Sequence, residues 1–355
     1  MEQNLRVKNV TIGNRSVGEN EPCFIIAEAG VNHNGDISFA RQLIDLASEA
    51  GASAVKFQTF RAEEVVTETA EKAEYQKETT GPQHSQYELI KSLELGPDDF
   101  RELSAYATCK NIVFLSSPFD FGSVDLLDDL GVPAFKIPSG EITNFPLLKY
   151  IADKKKPVIL STGMSFLDEV KEALEVIQKS GLRDIILLHC VTSYPTRVRD
   201  VNLKAMETLS QTFGLPVGFS DHTVGINIPI AAVAKGACVI EKHFTLNKSL
   251  LGPDHRASLE PVELKAMVSA IREIELGMGD GTKCPTAEEK GNIKATRRSL
   301  VARTDIPKGT IITRDQLDIK RPGTGMEPKQ INLVIGRKAK QDIASGEVIS
   351  SDKLV

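Results

Sequence analysis

The feature that most constrains this chain is a rhythm. Short apolar runs alternate with amphipathic stretches from residue 23 to about residue 280. The runs are CFIIAEAG (23–30), AVKFQT (54–59), IVFLSSP (112–118), AFKIPSG (134–140), PVILSTG (157–163), IILLHC (185–190), PVGFSD (216–221) and VIEKHF (239–244). They are rich in β-branched and large apolar residues and mostly lack polar alternation, as strands buried on both faces do. Between them, FARQLIDLASEAG (39–51) places Phe39, Leu43, Leu46, Ala47 and Ala50 on one helical face, with Gly51 suited to a C-cap. FLDEVKEALEVIQKSG (166–181) and EPVELKAMVSAIREIELG (260–277) follow the same pattern. Eight strand–helix units over about 250 residues predict an α/β fold of the TIM (β/α)8 barrel type. The competing fold is a doubly wound open sheet, but no GxGxxG follows the first run.

The tail reads differently. ARTDIPKGTIITRDQL (302–317) aligns with AKQDIASGEVISSDKL (339–354) at an offset of 37, with seven of sixteen positions identical. Two copies predict a small pseudo-symmetric β-rich domain. The predicted organisation is a barrel over 1–277, a polar linker over 278–298 and the small domain over 299–355. Net charge is −5, so nothing points to nucleic acid or an anionic membrane surface as a partner. The N-terminal MEQNLRVKNV lacks the apolar core of a leader peptide. Five scattered cysteines with no CxxC pair fit reduced thiols, and a cytoplasmic location is expected.

Catalytic groups of such barrels sit at the C-terminal strand ends. Here those ends carry Glu28; Lys56 and Gln58; Ser116 and Ser117; Lys136, Ser139 and Glu141; Ser161 and Thr162; His189, Thr192 and Tyr194; Ser220, Asp221 and His222; Glu241, Lys242 and His243. Charges at buried strand ends must pair or meet a ligand. Lys56 and Lys136, with Ser139, Ser161 and Ser220, suit a phosphate or carboxylate. The alternatives are lysines paired with neighbouring carboxylates, or a Schiff-base lysine. His222 and His243 end neighbouring strands. They either hold a divalent ion, Mn²⁺ or Mg²⁺ rather than structural zinc, or are hydrogen-bonded structural residues. His33 reads as a loop hydrogen-bonding residue, with a direct catalytic role as the alternative, His189 as a core histidine and His84 as a solvated loop residue. The role of His255 stays open.

Several motifs carry a resemblance. FIIAEAGVNHNG, AVKFQTF, LSSPFD, KIPSGEITNFPLL, ILSTGM, LHCVTSYPT, GFSDHT, EKHFT and GPDHRASLEP, in this order, resemble the sialic acid synthase family, which includes N-acetylneuraminate, legionaminate and pseudaminate synthases. DIPKGTIIT and KRPGTG resemble its C-terminal antifreeze-like (SAF, β-clip) domain. The resemblance implies a metal-dependent, C–C bond-forming transferase. It would condense phosphoenolpyruvate with an open-chain N-acylated aminosugar to a nine-carbon 2-keto acid and phosphate. Carried over by motif, Lys56, Gln58, Lys136, Ser139, Ser161, Thr192 and Ser220 would bind phosphoenolpyruvate. His222 and His243 would ligate the metal, Mn²⁺ foremost, with Mg²⁺ or Co²⁺ as alternatives. Glu141, Tyr194 and Asp254 would hold the sugar, and Glu28 would act on the water or proton that moves. Arg321 would reach from the tail of one subunit into the barrel of another, implying a domain-swapped homodimer. One position departs: neuraminate synthases carry Asn two residues before the Tyr of the HCxxxYP motif, where this chain has Thr192. That contact is therefore altered or made by a hydroxyl.

The resemblance puts N-acetylneuraminate synthesis first and legionaminate synthesis, from 2,4-diacetamido-2,4,6-trideoxymannose, second. AEAGVNHNG and KAEYQKETTGPQHSQYELI are at least as close to legionaminate-type members. Synthases of 3-deoxy sugar acids from phosphorylated aldoses lack this tail. A carbohydrate-binding protein with an inactive barrel would not need the intact lysine, histidine and carboxylate set.

Overall fold

A computed structural model describes residues 9–72, 77, 79–81, 83 and 85–355. His84, part of the KAEYQKETTGPQHSQYELI segment and the first eight residues lie outside the described residues. The chain divides into two compact units, Met1–Gly279 and Asp280–Val355.

The first unit opens with an antiparallel hairpin, β1 (Val10–Ile12) and β2 (Arg15–Val17). Eight parallel strands follow: β3 (Phe24–Gly30), β4 (Ala54–Thr59), β5 (Val113–Pro118), β6 (Phe135–Ile137), β7 (Val158–Ser161), β8 (Ile185–Cys190), β9 (Val217–Asp221) and β10 (Val239–His243). Each falls inside one of the eight apolar runs. Their ladder runs β5-β4-β3-β10-β9-β8-β7-β6, the chain order wrapped into a ring, with β5 and β6 packed side by side at its ends. That order is a nearly closed barrel and excludes the doubly wound sheet, whose strand order reverses at a switch point.

Strand parity divides the core in two. Ile25, Ala27, Val55, Phe57, Leu160 and Leu187 pack outward against the surrounding helices. Phe24, Ile26, Ala54, Leu115, Ile159 and Leu188 point to the barrel axis, where Val10, Ile12 and Val17 of the hairpin close the cluster. Strands of three residues give too short a pattern for periodicity to register, so the hairpin was not legible in sequence. The first predicted helix runs Ile37–Glu49 and buries Ala40, Leu43, Ile44 and Ala47. Phe39 and Leu46, expected on that face, are half-buried. Gly51 follows the C-cap at φ +79, as expected.

The second unit keeps the internal repeat in its hydrogen bonds. Ile306 and Ile343, equivalent at the offset of 37, exchange both backbone bonds at 2.8 and 3.0 Å. Gly309 N–H donates to Ala339 O, and its equivalent Gly346 N–H donates to Ala302 O, each at 2.7 Å. A 3₁₀ turn stands at Arg314–Gln316 and again at Ser351–Lys353. The strands are β11 (Ser299–Ala302) and β12 (Leu317–Lys320), antiparallel. The stretch 278–298, expected to be a linker, contains a helix over Ala287–Thr296. Its capping box joins Thr286 and Glu289, a start signal outweighed in the sequence reading by the glycines and polarity around it.

Gly218 tests the tightness of the barrel. A Cβ there would lie 2.5 Å from the Val239 carbonyl oxygen and 2.7 Å from Leu188 Cδ2. The Gly218→Ala substitution should therefore cost about 1–3 kcal/mol, read as a lower midpoint in urea. A midpoint within error of wild type would show that β9 and β10 separate freely.

Candidate active site

At the C-terminal ends of the barrel strands lies a cavity of about 490 Å³. Its polar lining follows from strand parity. Positions 28 in β3, 56 and 58 in β4, 117 in β5, 161 in β7, 220 in β9, and 241 and 243 in β10 continue the inward-facing series below them. Of the sequence-predicted residues, Glu28, Lys56, Gln58, Lys136, Ser139, Ser161, Thr192, Tyr194, Ser220, His222, His243 and Asp254 all line the cavity. Glu141 does not. It is half-buried in the turn after β6, where its carboxylate accepts a 2.8 Å hydrogen bond from Asn144 Nδ2. Arg321 belongs to the second unit, just after β12, and is exposed.

The opposite parity explains which strand-end groups stay out of the cavity. Ser116 bonds Thr59 at 2.7 Å, and the Thr162 hydroxyl donates to Leu188 O at 3.0 Å. His189 Nε2 lies 2.7 Å from Val201 O. Lys242 forms a fully buried pair with Asp221 at 2.5 Å and also donates to the Thr223 carbonyl. Asp221 in turn accepts from Thr223 N–H at 2.9 Å, so the pair clamps the turn that carries His222 onto the strand that carries His243. His33 is a loop residue, as expected, accepting from Gly35 N–H at 3.0 Å. His255, whose role the sequence left open, is buried between Thr245 Oγ1 at 2.6 Å and Asn34 Oδ1 at 3.1 Å.

Glu241 and Ser117, given no role from sequence, join the buried polar cluster. Glu241 lies 3.4 Å from Lys136 Nζ and 3.8 Å from Lys56 Nζ, and accepts from Ser220 Oγ at 2.9 Å. Ser117 accepts from Lys56 Nζ at 3.1 Å. The available signal was parity: Glu241 and His243 share a face, and Lys242 between them does not.

Both lysines thus have carboxylate partners, Lys56 also meeting Glu28 at 2.7 Å. The electrostatics follow from burial and these pairs. Burial alone would lower Lys56, but Glu241 and Glu28 outweigh it and hold the ammonium above its ordinary range. Burial dominates at Lys136 and lowers it, despite the pull of Glu241. Burial alone would raise Glu241, but Lys136 and Lys56 together hold it down. Burial pushes Glu28 up to about 7 against the pull of Lys56, and Asp254 up to about 6. Ser161 Oγ and Thr192 Oγ1 are buried without a hydrogen-bond partner. Two ammonium groups and unpaired hydroxyls facing one cavity are the donor set for a multiply charged anion.

The donor set also fits a divalent cation. His222 Nδ1 lies 2.8 Å from Val191 O, which fixes a proton there and makes Nε2 the nitrogen a cation would take. Burial alone would lower this imidazole, but Cys190 outweighs it and holds it above the ordinary histidine range, so a cation would displace the Nε2 proton. His243 Nδ1 has no hydrogen-bond partner and lies 4.0 Å from Asp254 Oδ2. Burial, with the charges of His222 and the lysines, holds His243 well below the ordinary histidine range, as a neutral imidazole. The two rings are 5.4 Å apart, and the Tyr194 ring packs 4.1 Å from His222. Among the described residues no group of three or more histidine, cysteine or acidic side chains has metal-holding geometry. A cation here would take two imidazoles and complete its shell with water or substrate.

Known proteins resemble this chain throughout. The profile of the NeuB family matches residues 43–283, and that of the SAF domain matches 297–355. The N,N'-diacetyllegionaminic acid synthase of Campylobacter jejuni is 51% identical, covering 92% of this chain and 98% of that protein. The enzyme of the same name from Legionella pneumophila is 49% identical, covering 94% of each. Among solved structures, the N-acetylneuraminic acid (sialic acid) synthetase of Leptospira borgpetersenii, in complex with citrate, superposes with a TM-score of 0.71. It is 39% identical, covering 81% of this chain and 95% of that one.

The raised Glu28 carboxyl gives a pH test. Between 4.5, its ordinary value, and about 7, the folded state holds a proton that the unfolded chain has lost. Its contribution to stability is therefore full below pH 4.5 and lost as pH rises to about 7. The stability difference between wild type and Glu28→Gln, from urea titrations, should shift against wild type across this window. A difference independent of pH would show that Glu28 titrates normally.

Proposed function

We propose that this chain, which belongs to the NeuB family, condenses phosphoenolpyruvate with an open-chain 2,4-diacetamido-2,4,6-trideoxymannose, giving N,N'-diacetyllegionaminic acid and phosphate. The observation that carries the acceptor is identity. The two legionaminic acid synthases stand at 51% and 49%, the sialic acid synthetase at 39%. This reverses the order expected from motifs alone, which put N-acetylneuraminate first. The reaction class is supported by the cavity, with its two buried lysines, unpaired hydroxyls, two imidazoles and a carboxyl that titrates near neutrality.

In this reading Lys56, Lys136, Ser139, Ser161, Thr192 and Ser220 hold the phosphate and carboxylate of phosphoenolpyruvate. Carbon 3 of the enol attacks the sugar aldehyde, forming the new C–C bond as the C=O π pair moves onto the aldehyde oxygen, which ends protonated by the proton that Glu28 takes from the water in the next step. Water adds at carbon 2. Glu28, pushed up to about 7, takes the proton that this water gives up. The tetrahedral centre then expels phosphate, which carries off the proton of the carbon 2 hydroxyl, and leaves the 2-keto acid. His222 and His243 would hold Mn²⁺, Mg²⁺ or Co²⁺, which supplies Lewis-acid polarisation of the aldehyde. Tyr194 and Asp254 would hold the sugar. Glu141, bonded to Asn144, would have to turn from that partner to do so.

Phosphate release from phosphoenolpyruvate with Mn²⁺ tests this reading. The trideoxy sugar should be used at least tenfold better than N-acetylmannosamine, and chelation should abolish turnover. Preference for N-acetylmannosamine would overturn the acceptor, and undiminished turnover after chelation would overturn the metal.

The same reading gives Arg321 to the acyl group of a sugar bound in another copy of the chain. Arg321→Ala should raise the acceptor KM at least tenfold. Mixing it with Glu28→Ala should restore about a quarter of wild-type turnover through hybrid dimers. Mixtures no more active than the separate variants would rule out sharing between subunits.

A further inference from the structure

One side of the cavity is apolar, and the reaction chemistry leaves that side unused. Phe60 follows β4 and Phe119 follows β5, so both stand over neighbouring strands at one edge of the mouth. Their rings meet edge to face at 6.2 Å. Leu89, Ile90 and Leu93, on and just after the short helix Gln86–Ser92, pack with them into a cluster separate from the barrel cores. Val65, ending the short helix Ala62–Val65, adds a 37% exposed side chain. All six residues line the cavity. Gln86, on the same helix as Leu89 and Ile90, lines it too and brings a carboxamide that can exchange hydrogen bonds with an amide.

We infer that this wall is the acceptor-specificity subsite and selects sugars whose far end carries methyl groups in place of hydroxyls. The inference rests on the acceptor reading above and deepens it. Lys136 on β6, Ser161 on β7 and Thr192 after β8 stand on other strands, and Lys56, on β4, lies four residues before Phe60. These groups take the anion in the reading above, which leaves the apolar wall to face the second substrate. An apolar wall gives no partner to a hydroxyl, which would lose its water on binding. It does stabilise a methyl group by removing it from water. The trideoxy sugar presents a C6 methyl and two acetamido methyls, whereas N-acetylmannosamine presents one acetamido methyl and a hydroxymethyl. A wall of this kind discriminates the two by roughly 10- to 100-fold. Gln86 matches the amide of an acetamido group.

The test replaces Leu89 and Val65 singly by serine in the full chain and compares kcat/KM for the two sugars. Phosphoenolpyruvate affinity is measured separately by calorimetry, to report that the barrel mouth is intact. In each variant the ratio of trideoxy sugar to N-acetylmannosamine should fall about tenfold, while Leu89→Met, which keeps the apolar volume, should hold the wild-type ratio. If Leu89→Ser fails to bind phosphoenolpyruvate, the more exposed Val65→Ser decides. Ratios within twofold of wild type, with phosphoenolpyruvate binding retained, would overturn the subsite alone. A wild-type ratio favouring N-acetylmannosamine would overturn the acceptor reading and this inference together.

Discussion

Four charges buried in one barrel mouth constrain everything around them. Lys56, Lys136, Glu28 and Glu241 are all nearly inaccessible to water, and an isolated charge in such a place costs several kcal/mol. They are tolerated because they answer one another: Lys56 between Glu28 and Glu241, and Lys136 against Glu241. The arrangement is balanced but incompletely satisfied, with Ser161 and Thr192 hydroxyls left over. An anionic guest that drew Lys56 away from Glu28 would remove the attraction holding that carboxyl down. Its proton affinity would rise as the guest bound. The pair between Lys56 and Glu28 would thus couple anion binding to the proton affinity of a carboxyl.

The scaffold holds this cluster from two directions. Beneath it, the inward side chains of the strands and the hairpin residues Val10, Ile12 and Val17 fill the barrel axis, leaving the polar groups at the top. Behind it, the pair between Lys242 and Asp221 sits on the outward face and clamps the turn bearing His222 to the strand bearing His243. A buried ion pair is weak evidence for stability, since apolar residues of like volume often serve as well. Its value here is geometric: it ties together the two backbone segments from which the imidazoles project.

In the second unit the same economy works through symmetry. Ile306 and Ile343 satisfy each other's backbone groups, and the equivalent glycines Gly309 and Gly346 donate to the equivalent carbonyls of Ala339 and Ala302, across a pseudo-twofold relation. A small unit with short strands closes its hydrogen bonds by pairing two copies of one pattern rather than by building a long ladder.

The sequence by itself determined the barrel. Eight buried runs spaced by helices have few other solutions, and each run became a strand in ring order. It also determined most of the cavity's polar lining, because parity and motif order put Lys56, Ser161, Ser220 and His243 on inward positions at strand ends. Contacts between distant segments were decided only by the tertiary structure. Glu241 is one residue from Lys242 in the chain, yet one faces the cavity and pairs with β4 and β6, while the other faces away and pairs with β9. Glu141 met Asn144 three residues on and stayed out of the cavity lining. The apolar wall gathers residues 60, 65, 89, 90, 93 and 119, whose spacing carries no common period. Periodicity reports which way a side chain points within its own element. Which partner it finds there depends on how strands far apart in sequence are brought side by side, and no local pattern encodes that.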